Sequence, residues 1–133
     1  MGAANPVLEG QVAVVTGAGR GIGRVIATTL ARHGAALAAI ARTEDEVAET
    51  ARLITAAGGK AAAFRVDVTD EAQVRTTFGE IERALGPTDL LVNNAGMLRP
   101  LGPFVDSDPL EWWRTSEVNV LGDDKFEACN KLF

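Results

Sequence analysis

The chain has 133 residues, 47% of them apolar, and a formal net charge of −5 at neutral pH. That is enough apolar material for the core of one domain, too much for a disordered chain, and an acidic balance that argues against a general nucleic-acid binder. The single cysteine, Cys129, excludes an internal disulfide and, with one histidine, the usual zinc site, so no metal and a reducing, cytoplasmic setting are expected.

Residues 1–6 form a loose end with neither a basic start nor an apolar run, and Pro6 stands where a myristoylation motif wants Ser or Thr. No stretch approaches the ~18 apolar residues of a membrane span, so no membrane partner is expected. Val7–Gly10 leads into a first strand at Val12–Val15. A first helix follows, with Ile22, Val25, Ile26 and Leu30 as its apolar stripe, and stops at His33-Gly34, where glycine can take a left-handed cap. His33 reads as a surface residue in the last turn rather than a ligand.

The unbroken apolar run Ala35–Ala41 reads as a second strand, of the kind buried on both faces of a parallel sheet. Thr43 and Glu46 have the spacing of a capping box and open a second helix, whose buried face carries Val47, Thr50, Ala51 and Ile54 before Gly58-Gly59 ends it. Ala61–Val66 is a third strand. Asp70 with Gln73 resembles another capping box, and Val74, Phe78, Ile81 and Leu85 follow at helical spacing up to Gly86-Pro87. Leu90–Val92 is a fourth strand running into Asn93-Asn94-Ala95-Gly96. Strands and helices alternate with short connections throughout. This pattern predicts one α/β domain over residues 1–133, a Rossmann-like doubly wound parallel sheet of about four strands in the order 3-2-1-4.

Between the first strand and the first helix stands Thr16-Gly17-Ala18-Gly19-Arg20-Gly21-Ile22-Gly23. Glycines there let the backbone turn tightly and approach a pyrophosphate, which then sits on free N–H groups at the positive end of a helix. The spacing is T-G-x-x-x-G-x-G rather than the commoner G-x-G-x-x-G. Together with Asn93-Asn94-Ala95-Gly96 at the end of the fourth strand, it resembles the short-chain dehydrogenase/reductase family over about residues 7–121. The resemblance implies a dinucleotide site formed by Thr16, Gly17, Gly19, Arg20, Gly21, Ile22 and Gly23. It also implies that Asn93, Ala95 and Gly96 lie along the cofactor ribose, that Asp67 and Val68 contact the adenine, and that the asparagines brace the sheet. Asn119, in Trp112–Val120, matches the family's catalytic asparagine, which holds a water linking the active-site lysine to solvent. Trp112 and Trp113 read as packing residues.

The cofactor's form follows from charge. An NAD site usually carries Asp or Glu about 20 residues beyond the glycine turn, on the ribose 2′-hydroxyl. Nineteen residues beyond Gly23 stands Arg42, preceded by Ala41, while Glu44 and Asp45 fall in the cap of the next helix. A guanidinium grips a 2′-phosphate that a carboxylate would repel. Arg20 adds a second positive charge, so NADP(H) is expected over NAD(H).

The family's chemistry also needs a serine and a Tyr-x-x-x-Lys helix, and these 133 residues contain no tyrosine. Ser107 and Ser116 match no family serine. The resemblance therefore implies hydride transfer between NADP(H) and a small-molecule carbonyl or secondary alcohol in a parent enzyme, of which this chain is a shortened form or fragment, with no ordinary turnover expected from it alone. Residues 122–133 read as divergent from the family, and Phe126, Cys129 and Phe133 there have the spacing of a helical stripe. The alternative is a non-catalytic module that binds NADP(H), or that pairs through an open fourth-strand edge as a homo-oligomer or with a relative.

Overall fold

In the computed structural model, residues 6–97 and 101–121 are described; the expected stripe at Phe126, Cys129 and Phe133 lies outside them. Four parallel strands, β1 (Val12–Thr16), β2 (Ala36–Ala41), β3 (Ala61–Arg65) and β4 (Leu90–Val92), form one sheet in the order β3-β2-β1-β4. The expected Rossmann-like arrangement is borne out. Val14 of β1 pairs with Ala38 of β2 on one side and Leu91 of β4 on the other, which places β1 at the centre of the crossover. Asp89 locks the β1–β4 register: its carboxylate accepts from the Val12 N–H at 2.8 Å, and its own N–H donates to the Val12 carbonyl at 2.9 Å.

The apolar runs of β1 and β2 are buried on both faces, but the faces differ in size. Val12, Val14, Ala38 and Ile40 pack with Val74, Phe78 and Ile81 of helix α3 (Glu71–Leu85). Ala13, Val15, Leu37 and Ala39 face helices α1 (Gly21–Arg32) and α2 (Glu44–Ala56), through Ala27, Val47 and Ile54. This second face is rich in alanine, so its helices can approach closely. That corrects the expected stripe of α1. Gly23 and Ala27 are its buried residues, whereas Ile22 and Val25 are 74% and 64% exposed. The helix packs by its smallest side chains, with Ile26 and Leu30 at the flank of the contact. It ends as expected, at a His33 cap followed by Gly34 with φ of +101°.

The two expected capping boxes part company. At α3, Asp70 accepts from the Gln73 N–H at 3.1 Å, and Gln73 Nε2 donates back to the other Asp70 carboxylate oxygen at 3.0 Å. Removing this cap with Asp70→Ala is expected to lower stability by about 1 kcal/mol. Urea denaturation followed by far-UV circular dichroism would measure it, with D70N losing less. At α2, Thr43 caps nothing with its side chain, and the Glu46 carboxylate turns instead toward Arg20.

After β4 come a 3-10 turn (Phe104–Asp106), helix α4 (Pro109–Ser116), which Asp108 caps by accepting from the Leu110 N–H, and a π-helical turn (Glu117–Leu121). No residue of α4 is buried. Trp112 and Trp113, read as packing residues, are 49% and 55% exposed. Among the described residues no helix is long and apolar enough to cross a membrane.

Candidate functional site

The strand order reverses between β1 and β4, and a crevice at the carboxyl ends of such a pair is where doubly wound sheets bind ligands. A cleft of about 710 Å³ lies there. The sequence-predicted residues Gly17, Gly19, Arg20, Gly21, Ile22, Gly23, Ala41, Arg42, Asp67, Val68, Ala95 and Gly96 all line it.

The turn between β1 and α1 is built by close approach of backbones. Gly17 has φ of +65°, and a Cβ there would lie 2.9 Å from Ala95 Cα. A Cβ on Gly23 would collide with the Gly17 carbonyl oxygen and come within 2.5 Å of Asn94 Nδ2. These two glycines therefore let β1, α1 and the end of β4 meet.

Side chains then fix the polarity of the turn. Asn94 Nδ2 donates to the carbonyls of Thr16 and Gly17 at 3.2 and 3.3 Å. The buried Thr50 hydroxyl donates to the Ala18 carbonyl at 2.7 Å. Arg24 spans the gap between α1 and α2, donating from Nη2 to the Gly19 carbonyl at 2.6 Å and from Nε to Thr50 Oγ1 at 3.0 Å. The carbonyls of three successive turn residues are thus each tied to a side chain. At the start of α1, Arg20 provides no side-chain cap and the first turn holds no acidic residue. An uncapped helix N-terminus beside a tied-back turn is suited to an anion such as a pyrophosphate.

Thr16 and Asn93 are placed differently from the rest. Thr16 is buried behind the cleft, where its Oγ1 accepts from the Asn94 and Ala95 N–H groups at 3.0 and 2.9 Å. It braces the walls and does not line them. Asn93 does not line the cleft either, and its buried Oδ1 has no hydrogen-bond partner in the structure. Asp67 does line the cleft, while its Oδ1 accepts from the Thr69 N–H at 2.9 Å and the Thr69 hydroxyl at 2.7 Å, which shapes the turn before α3. Asn119, from the π-helical turn, forms a two-way bond with Met97. Its Oδ1 accepts from the Met97 N–H at 2.7 Å, and its Nδ2 donates to the Met97 carbonyl at 2.9 Å. It thereby holds the chain beyond Gly96, and Met97 itself lines the cleft.

Sequence reasoning missed Thr43, Glu46, Val66, Asn94, Met97, Leu101 and Val118, which also line the cleft. Glu46 had a legible signal, since one helical turn carries it back from the cap toward the glycine turn. Away from the cleft, Arg52 donates twice to the Glu49 carboxylate at 2.7 Å, and these bonds hold the Glu49 carboxyl below its ordinary range.

Comparison with known proteins agrees with this geometry. The chain is 43% identical over 115 residues to a short chain dehydrogenase of Pseudocercospora fijiensis, an alignment covering 85% of this chain and 37% of that protein. A metagenomic short-chain oxidoreductase crystallised in complex with NADP superposes with a TM-score of 0.85 at 37% identity, over 92% of this chain and 55% of the other. An NAD+-bound xylitol dehydrogenase superposes with a TM-score of 0.89 at 30% identity, over 92% and 47%. The chain thus spans about half the length, or less, of these relatives, and they include complexes with either nucleotide. The short chain dehydrogenase family model matches residues 11–129, reaching into the 122–133 stretch that looked divergent in sequence. With the T-G-x-x-x-G-x-G turn, the Asn-Asn-Ala-Gly strand end and the β3-β2-β1-β4 sheet all in the family's places, this chain belongs to the short chain dehydrogenase family of oxidoreductases.

Proposed function

We propose that the chain is the NADP(H)-binding part of an oxidoreductase that moves hydride between that cofactor and a small carbonyl or secondary alcohol. The observation that carries this reading is the uncapped start of α1 beside tied-back carbonyls, with Arg20 and Arg42 on the same cleft. Gly17 to Gly23 would receive the pyrophosphate, Asp67 and Val68 the adenine, and Ala95 and Gly96 the ribose side. Arg20 and Arg42 would grip the 2′-phosphate, each as a charge-assisted donor. When bound, the nicotinamide supplies the hydride chemistry. Asn119 would serve it by fixing Met97 and, as in the family, by placing a water. A cytoplasmic setting, where NADP(H) and free thiols coexist, fits the single cysteine.

Titration calorimetry with NADPH and NADH tests the preference. NADPH is expected to bind more tightly, and Arg42→Ala to weaken NADPH about tenfold, the worth of one charge-assisted contact, while leaving NADH within about twofold. Tighter binding of NADH by the unaltered chain would overturn the NADP reading. Since these 133 residues hold no tyrosine to exchange the carbonyl proton, we also propose that the chain alone binds without turnover. Carbonyl-dependent NADPH oxidation by the purified chain would contradict that.

A second reading is favoured by the edge position of β4, which pairs with β1 on one side in the described sheet. There the chain would act as a non-catalytic NADP(H)-binding module that pairs through this edge as a homo-oligomer or with a relative. Sedimentation as a monomer at high concentration, with no effect on a full-length relative's activity, would contradict the pairing.

A further inference from the structure

The cleft contains a carboxylate where its cofactor reading wants only positive charge. Glu46, in the first turn of α2, lines the cleft together with Arg20, Arg42 and Gly19. Its Oε2 lies 3.9 Å from Arg20 Nε, and the two side chains are 36% and 83% exposed respectively. The position of Glu46 is held by more than this pair. Its backbone carbonyl accepts from Arg24 Nη2 at 3.2 Å, the same guanidinium that ties back the Gly19 carbonyl. Its stem covers Gly19 closely, so that a Cβ there would come 3.0 Å from Glu46 Cβ. Arg20 is the more exposed partner and Glu46 the more enclosed one.

We propose that Glu46 is a specificity-determining residue that limits the site's preference for the phosphorylated dinucleotide. It does so by sharing Arg20 with the 2′-phosphate. This rests on the reading of the cleft as a dinucleotide site with Arg20 at the 2′ position. A 2′-phosphate carries close to two negative charges and must draw Arg20 away from Glu46 while lying within a Debye length of its carboxylate. A 2′-hydroxyl does neither. Glu46 therefore penalises NADP(H) and leaves NAD(H) nearly untouched, which narrows the gap that Arg20 and Arg42 open.

The test is calorimetric titration of the chain and its Glu46→Gln variant with NADPH and NADH. Glutamine keeps the stem over Gly19 and the backbone carbonyl that Arg24 uses, so the fold should be retained; thermal unfolding checks this. Glu46→Gln is expected to tighten NADPH about fivefold, the upper range for an exposed ion pair, with NADH unchanged within about twofold. The gain should shrink in 0.5 M salt and in an Arg20→Ala background. Weaker NADH binding would overturn the proposal by making Glu46 a ribose-hydroxyl acceptor. Weaker binding of both nucleotides would reduce Glu46 to a support of the turn. No change in either, or a gain that persists undiminished without Arg20, would also refute it. The unaltered chain's own preference tests the NADP reading, whereas the ratio of variant to unaltered chain tests Glu46, so the two can fail separately. Binding of neither nucleotide by the unaltered chain overturns both.

Discussion

Gly23→Ala is expected to abolish dinucleotide binding and to cost more than about 3 kcal/mol of stability, at or beyond the usual range for overpacking a closed site. The new methyl would strike the Gly17 carbonyl oxygen and sit 2.7 Å from the Gly17 carbonyl carbon. Neither side can yield cheaply. Gly17 itself has φ of +65°, and a Cβ there would lie 2.9 Å from Ala95 Cα. Asn94, whose Nδ2 is the next atom in the way, is held by the Thr16 and Gly17 carbonyls. Helix α1 would have to lift off the sheet, opening the contact of Ala27 with the alanine-rich face and moving the N–H groups meant for phosphate. Urea denaturation and NADPH titration of the variant would measure both losses. A variant of unaltered stability would mean that the turn has slack the structure does not show.

The second large effect is expected at Thr16. Its Oγ1 is the acceptor for two backbone N–H groups, those of Asn94 and Ala95, inside the junction of β1 and β4. Thr16→Val keeps the shape and removes the acceptor, which leaves two donors without partners in a partly buried site. At about 1–3 kcal/mol for each abandoned group, a loss of about 2–6 kcal/mol is expected. Thr16→Ser keeps the hydroxyl and loses one methyl, so its cost should be about 1 kcal/mol. The contrast between valine and serine separates the hydrogen bonds from the packing. Valine should also weaken NADPH, because Ala95 and Gly96 would no longer be held beside Gly17. Equal stability of the two variants would show that the hydroxyl does not brace the junction.

Much of this architecture was legible in the sequence, for reasons that differ by element. The sheet order followed from strict alternation of strands and helices, which leaves a right-handed crossover few alternatives. The cleft residues from Gly17 to Gly23 were legible because glycine at close-packed backbone positions has no substitute. The Asp70–Gln73 cap was legible because both partners lie within one turn. What escaped was decided by distant partners. The Thr43–Glu46 pair has the same local pattern as Asp70–Gln73, yet Thr43 makes no side-chain cap and Glu46 faces an arginine 26 positions earlier in the chain. Arg24 and Thr50 look like ordinary helix residues until α1 and α2 are side by side. The stripe of α1 was misread because hydrophobic size was weighed above fit. The sheet face under α1 is rich in alanine, so the helix presents Gly23 and Ala27 and leaves Ile22 and Val25 outside. Of the Asn93-Asn94-Ala95-Gly96 strand end, whose resemblance to the family implied a ribose contact for Asn93, it is Asn94, Ala95 and Gly96 that line the cleft.

The measurement that tests the central claim most directly is an amide chemical-shift map of the 15N-labelled chain titrated with NADP+. Saturable shifts are predicted for the amides of Gly17–Gly23, Arg42, Asp67–Val68 and Ala95–Gly96, the lining of the cleft. The far end of α2 and its turn, residues 52–59, should not move. Shifts concentrated away from the junction of β1 and β4, or no saturable shift at all, would contradict the assignment of this cleft as the dinucleotide site.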